Sequence, residues 1–425
     1  MSGREIGAAV ISFGRPRVLD DDERTLLTAL SGLIAQALER AGLYDEATTR
    51  ARTLQRSLLP QALPTMPEVT TAARYQPAKQ GADVGGDRYD VIPLSAARGA
   101  LVIGDVMGHG MTEAATMGRL RTAVRTLSEL ELPPDEILGH LNDIVGELGN
   151  DAFVTCLYAI YDPVSRCLSY AGAGQLPPAV AHPDGTVTFL SVTPDPPLGV
   201  AAPPFETLET PLPAGSLLAL YSDGLVESKD RDVTTGMNHL AELLFQSVDT
   251  MPPETMPPAP ADTSGLDALC ATLTSALLPA HGALTDNAAL LLARTHPLDA
   301  ENIAEWPLPE DPVAAGRARE LVRAQLTDWD LAGEDLVMTT ELLVSELVGN
   351  VIRHACGPIR LRMLRSRALI CEVSDASLTT PHIRHTSATD EGGRGLQLIS
   401  ALCQRRGTRH TRTGKSIWTE QPLPM

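Results

Sequence analysis

The sequence predicts an α+β chain of more than one domain. Three observations predict it. The chain has 425 residues, too many for one compact core at ~150 residues per domain. From about residue 68 to 296, short strand-like runs are separated by turn residues, with helical stretches grouped between them. A proline-rich, acidic stretch at 297–311 then parts this region from a last unit of two helices followed by strands.

The elements follow in order. Residues 6–13 (IGAAVISF) read as a strand. A long helix comes next, opened by Asp20, Asp21 and Asp22, whose oxygens and negative charge suit a helix start. Leu26, Leu30, Leu33, Ala37, Tyr44, Ala47, Ala51, Leu54 and Leu58 recur at spacings of three and four. That is a heptad seam, so a parallel dimer through this helix is expected. Pro60 and Pro64 end it. The strand runs that follow include GALVIGDV, FVTCLYAIYD, SLLALYSDG and NAALLLAR. The last unit holds the helix EDLVMTTELLVSELVGNVIRHA, the strands IRLRML and ALICEVSD, a glycine-punctuated helix start at EGGRGLQLIS, and a final strand pair around GTRH and KSIWTE.

Bulk properties narrow the function classes. The net charge is -19, which argues against a nucleic-acid surface. The six cysteines (Cys156, Cys167, Cys270, Cys356, Cys371, Cys403) form no CxxC pair, and buried free thiols in a reducing cytosol are expected. The first residues lack a signal-peptide pattern, and no run reaches the ~18 apolar residues of a membrane span. A cytoplasmic location is the expectation.

Four carboxylates stand out, because each lies at a strand end beside glycine or a turn. They are Asp87 in VGGDRYD, Asp105 in LVIGDVMGHG, Asp223 in LALYSDGLVES and Asp286 in LTDNAALLLAR. Gathered at one end of a sheet, such groups repel one another and need a cation. Oxygen-only ligands favour Mg²⁺ or Mn²⁺, and two ions would activate water and clamp a phosphoryl group. Glycine at 86, 104 and 224 allows close backbone approach.

The set in this order resembles the PPM family of metal-dependent Ser/Thr phosphatases, in its bacterial sporulation-phosphatase (SpoIIE-like) branch, over roughly residues 50–296. GDVMGHG is its most specific block. The resemblance implies an α-β-β-α sandwich and a two-metal centre built by Asp87, Asp105, Asp223 and Asp286, with the backbone carbonyl of Val106 as a further ligand. It departs from relatives at Arg88, where many carry tryptophan; this residue is read as lining the substrate entrance or as a surface change. Met107 stands where eukaryotic members have a histidine, and His109, two residues on, is read as packed or capping rather than as a proton donor. Asp90 either backs the metal ligands from behind or is a turn residue.

In the last unit, Glu346 and Asn350 are four apart and share one helix face. A carboxylate and an amide there suit a Mg²⁺–triphosphate site, the amide holding the ion and the carboxylate acting as a base. Asp375 ends a strand, and Gly392, Gly393 and Gly395 open a helix whose N–H groups can take phosphate. This order resembles the GHKL ATPase fold, an α/β sandwich, and more narrowly the anti-sigma-factor kinases, over about 312–421. It implies that Asn350 coordinates Mg²⁺, Glu346 is the base, Asp375 contacts adenine and the glycines close over the phosphates of ATP. Ala-Ser-Leu follows Asp375 where the family has a Gly-x-Gly pair, and Lys415 in GKSIWTE has no assigned role.

IGAAVISF and the long helix resemble the closing part of a GAF sensor domain. The expected organisation is a GAF-like C-terminal remnant at 1–42, or a start lying further upstream. A linker helix and coiled coil follow at 43–62, the phosphatase at 63–296, a linker at 297–311 and the ATPase domain at 312–425. Together the resemblances imply a protein serine/threonine phosphatase in the partner-switching control of a sigma factor. It would act on a phosphorylated anti-sigma-factor antagonist (STAS) protein, with kinase activity of the last domain open. The alternative is a nucleotide-tuned scaffold that sequesters a sigma factor or antagonist.

Overall fold

A computed structural model of the chain describes residues 10–78, 85–108, 110–149, 152–200, 204–248, 263–279, 284, 286–354, 357–377, 399, 401–411 and 414–424. The chain is an α+β assembly of a long N-terminal helix, a four-layer sandwich and a two-layer sandwich.

Helix α1 runs Asp21–Leu58. Asp20 caps it by accepting from Glu23 N at 2.8 Å, and the Glu23 carboxylate accepts from Asp20 N at 3.2 Å. This reciprocal capping box fixes the helix start. The helix is unbroken, so the boundary expected at 42/43 falls inside one element. Of the strand expected at 6–13, residues 6–9 lie outside the described residues and 10–13 hold no strand. Leu26, Leu30, Leu33, Ile34 and Leu38 of α1 are exposed.

The four-layer unit stacks two five-stranded antiparallel sheets. One is ordered β2(Arg88–Pro93), β3(Gly99–Val106), β4(Val154–Asp162), β5(Cys167–Ala173), β8(Leu208–Pro211). The other is ordered β1(Val69–Gln76), β10(Ala288–Thr295), β9(Leu217–Tyr221), β6(Ala179–Ala181), β7(Val187–Phe189). Alternation puts Leu101, Ile103, Leu157 and Tyr161 of the first sheet against Leu218, Leu220, Ala289 and Leu291 of the second. The opposite faces bury under helices. Helices α2(Met111–Glu129) and α3(Pro134–Glu147) cover the first sheet, while α5(Val233–Val248) and α6(Ser264–Leu277) cover the second. A one-turn helix α4(Asp223–Val226) follows β9 directly.

The second unit is one antiparallel sheet ordered β11(Ile303–Leu308), β12(Ile359–Arg365), β13(Ala368–Asp375), β15(Gly414–Pro422), β14(Arg405–Thr411). Helices α7(Ala314–Asp328) and α8(Glu334–His354) pack on one face through Val322, Leu326, Leu343 and Leu347. The stretch at 297–311, read from the sequence as a linker, contains a 3-10 turn and β11. Its proline, Pro307, is tolerated because β11 is an edge strand, where one face of the ladder needs no donor.

The other face of this sheet meets the first unit. Ala96, Ala97, Leu298, Leu364 and Ile370 form a small apolar cluster across the seam. Ala96 and Ala97 hold φ of 57° and 61° in the tight β2–β3 turn, a conformation that costs a non-glycine residue about 1 kcal/mol or more. Both are buried, so the seam holds the strained turn in place. Around it, Glu131 accepts from Ser95 N at 3.0 Å and Ser95 Oγ at 2.6 Å, and pairs with Arg98 at 2.5 Å. Arg409 of β14 donates to Ser95 Oγ at 3.2 Å and pairs with Glu372 of β13 at 3.0 Å. Arg362 completes the chain on Glu372, and Ser366 donates to the buried Glu68.

Candidate active site

The four aspartates singled out by sequence come from both sheets of the sandwich. Asp87 immediately precedes β2 and Asp105 sits near the end of β3. Asp223 opens α4 after β9, and Asp286 lies just before β10. Missing side chains bind them into two couples. A Cβ on Gly86 would stand 2.1 Å from Val106 O and 2.4 Å from Asp105 Oδ1. A Cβ on Gly224 would stand 1.9 Å from Asn287 O and 3.4 Å from Asp286 Cβ. Glycine therefore lets Asp87 approach Asp105 and Val106, and lets Asp223 approach Asp286. Val106 N donates to Gly86 O at 3.3 Å, tightening the first couple.

Ser222 joins the couples. Its hydroxyl donates to Asp87 Oδ2 at 2.5 Å and accepts from Ala289 N at 2.9 Å. Asn287 is buried, and its side-chain oxygen accepts from Ala78 N at 3.1 Å. Sequence reasoning passed over both residues. Each is an immediate chain neighbour of one of the aspartates, which is the one signal that pointed to them.

The electrostatics are those of crowded carboxylates. Burial pushes Asp87 well above the usual carboxylate range, Asp105 pushes it further, and the Ser222 hydrogen bond partly offsets this. Burial pushes Asp105 up to about 7, opposed by its hydrogen bond with Asp87 and reinforced by Asp223 and Asp286. Asp223 lies at the surface, yet protein on one side shields it from water and raises it; Gly224 N partly offsets that, and Asp286 and Glu227 add to it. Among the described residues, no three histidine, cysteine, aspartate or glutamate side chains converge into a ready ligand set. Asp105, Asp223 and Asp286 are near enough to act on one another's surroundings, as the shifts of Asp105 and Asp223 record. The buried Asp87 Oδ1 has no partner. An oxygen-only set with an orphaned carboxylate oxygen fits a hard divalent cation, whose charge would reverse these shifts.

Two expectations change. Arg88 neither lines an entrance nor sits on the surface. It is 4% exposed, opposite Gly104 on β3, and its two terminal nitrogens have no partner. Asp90 is not a turn residue: it is fully buried in β2 and accepts from Arg125 of α2 at 2.7 and 2.6 Å. Met107 is exposed, and His109 lies outside the described residues.

In the second unit, α8 carries Glu346 and Asn350 on one half-buried face. Asn350 Oδ1 accepts from Arg353 at 3.0 Å, while its buried Nδ2 has no partner. The oxygen keeps one lone pair for an ion. Asp375 ends β13, buried, with Oδ1 accepting from Ser377 N at 2.7 Å and from Lys415 Nζ at 3.2 Å. Its Oδ2 is buried and unpartnered. These orphaned atoms fit a polar ligand such as a nucleotide. Gly392, Gly393 and Gly395 lie outside the described residues.

The two units are thus an α-β-β-α sandwich of the phosphatase type and an α/β sandwich of the ATPase type. Residues 95–296 match the family model of stage II sporulation protein E (SpoIIE), and residues 308–419 match that of the histidine kinase-like ATPase domain. The chain therefore joins a SpoIIE-type PPM phosphatase domain to a histidine kinase-like, GHKL-type ATPase domain. Among similar curated proteins, phosphoserine phosphatase RsbU of Bacillus subtilis is 29% identical over 183 residues, 42% of this chain and 53% of that protein. Protein IcfG of Synechocystis is 26% identical over 226 residues, 46% of this chain and 35% of that protein. The chain spans about half the length, or less, of these relatives. The crystal structure of the RsbU and RsbW domains of Rv1364c from Mycobacterium tuberculosis covers 86% of this chain and 96% of its own, with a TM-score of 0.51 at 23% identity. That likeness is one of fold. No helix among the described residues is long and apolar enough to cross a membrane.

Proposed function

We propose that the chain is a metal-dependent protein serine/threonine phosphatase of a partner-switching pathway. Its substrate is a phosphorylated anti-sigma-factor antagonist (STAS) protein, and its ATPase domain engages the same kind of partner or a sigma factor. The observation that carries this reading is the pair of glycine-enabled aspartate couples, Asp87–Asp105 and Asp223–Asp286, joined through Ser222. The relatives named phosphoserine phosphatase support it.

Asp87, Asp105, Asp223 and Asp286, with the Val106 carbonyl, would hold two Mn²⁺ or Mg²⁺ ions. Bound there, the ions supply Lewis acidity toward a phosphoryl group and activate water. Ser222 orients the Asp87 carboxylate and favours its ionised form against the burial that opposes it. In the ATPase domain Asn350 would hold Mg²⁺ of ATP, Glu346 would take a proton from an acceptor hydroxyl, and Asp375 would receive the adenine amine. Gly392, Gly393 and Gly395 would meet the phosphates. The exposed leucines of α1 support self-association through that helix.

The test is Mn²⁺-dependent phosphate release from a phosphoserine STAS protein, wild type beside Asp223→Asn. Release that Asp223→Asn abolishes supports the reading; equal release by both sinks it. A second reading, a nucleotide-tuned scaffold, is favoured by the Arg353 bond on the Asn350 oxygen. Calorimetry separates the two, because a scaffold has no Mn²⁺ site that Asp105→Asn removes.

A further inference from the structure

Strand β13 ends on Asp375, and the antiparallel register sets Lys415 of β15 directly opposite. Lys415 could come this close because Gly414 precedes it: a Cβ there would stand 1.9 Å from Asp375 O. Both charged residues are buried, at 5% and 3% exposure. A buried ion pair seldom repays its desolvation by attraction alone. This one is also lopsided. Asp375 takes both of its donors, Lys415 Nζ and Ser377 N, on Oδ1 and leaves Oδ2 buried without a partner. An ammonium has three N–H donors, and among the described residues Asp375 Oδ1 is the acceptor that Lys415 meets.

An open acceptor therefore stands beside an open donor. That pattern complements a purine edge on which an exocyclic amine sits next to a ring nitrogen, as in adenine. Guanine has a carbonyl where adenine has its amine, and would set lone pair against lone pair at Asp375. We propose that Lys415 reads the base: Asp375 Oδ2 accepts from the adenine amine while the Lys415 ammonium donates to the ring nitrogen beside it. This rests on the reading of this sheet end as the nucleotide site. It gives Lys415 a role in specificity rather than in holding the strands together.

The adenine amine is flanked by two ring nitrogens, N1 and N7, so the probes are ATP, 1-deaza-ATP and 7-deaza-ATP. Their binding to the full chain is measured by calorimetry, for wild type and for Lys415→Met. Wild type is expected to prefer ATP by about tenfold or more over one of the two analogues, and Lys415→Met to bring that ratio to about twofold or less. Each ratio is taken within one protein, so a general loss of affinity or stability does not mimic the effect. Should Lys415→Met leave the Asp375 charge too costly to bury, the double variant Asp375→Asn/Lys415→Met removes both charges and is expected to show the same loss of preference. ATP binding with unchanged ratios in the variants overturns this proposal alone. No ATP binding by wild type overturns it together with the nucleotide-site reading.

Discussion

Arg409 and Glu131 face each other across the seam between the two domains, 4.0 Å apart, with side chains 11% and 3% exposed. Glu131 ends the turn after α2 in the phosphatase domain, and Arg409 belongs to the ATPase sheet. Arg409 also pairs with Glu372, so one guanidinium serves two buried carboxylates. Removing it in Arg409→Met leaves each with one arginine, Arg98 on Glu131 and Arg362 on Glu372. The expected cost is about 1–3 kcal/mol, read as a lower midpoint in urea and as separation of one unfolding transition into two. A single unshifted transition would show that the seam contributes nothing.

The same network sets a pH dependence. Burial would raise Glu372, but Arg409, Arg362 and Arg98 outweigh it and hold the carboxyl below its ordinary 4.5. The folded-state value is thus depressed. Its stabilisation is present above about 4.5 and is lost as pH falls through the folded value. Wild type should lose stability in that acid range, whereas Glu372→Gln should lose less over the same interval. Thermal melts between neutral and acid pH measure the difference.

Asp105 has the opposite sign. Its folded value near 7 lies above the ordinary 3.8, so metal-free folded protein keeps a proton that the unfolded chain has released. Raising pH from 3.8 toward 7 therefore costs stability. Asp105→Asn should raise the melting temperature of metal-free protein at pH 7 while abolishing Mn²⁺ binding by calorimetry. A lower melting temperature without metal would contradict the crowding of these carboxylates.

Ser222→Ala removes the hydroxyl that orients Asp87 and lowers its pKa. Mn²⁺ affinity should fall about 10- to 100-fold, with phosphate release largely restored at saturating metal. Release that stays lost at saturating metal would assign the hydroxyl a part in the chemistry instead.

Gly224→Ala forces a methyl against the Asn287 carbonyl. The backbone has to shift, at a cost of about 1–3 kcal/mol, and the Asp223–Asp286 couple opens. Mn²⁺ affinity should drop with the melting temperature. Gly146→Ala, where nothing lies within 4 Å, is the matched control and should leave metal binding unchanged.

The aspartates were legible because each one stands at a strand end beside glycine or a turn, as Asp105 does after Leu101, Val102, Ile103 and Gly104 in β3. The short strands β6 and β8 were not, since three or four residues give too little alternation to register. Strand β11 was hidden by Pro307, which an edge position tolerates, and by the prolines that flank the strand. Arg88 was read as lining an entrance or lying at the surface because it is a charge where relatives carry tryptophan, whereas here it is buried within β2. The seam left no trace at all. Glu131 and Arg409 are far apart in the chain, and no local pattern distinguishes either from a solvated charge.

Helix α2 begins at the Gly110 end of the loop that follows Asp105 and Val106, and it ends two residues before Glu131. Its 19 residues make a strut about 28 Å long. Asp90, clamped by Arg125, anchors that strut to the sheet partway along its length. One rigid element thus has the aspartate loop at its first turn and the Glu131 turn of the domain seam just past its last.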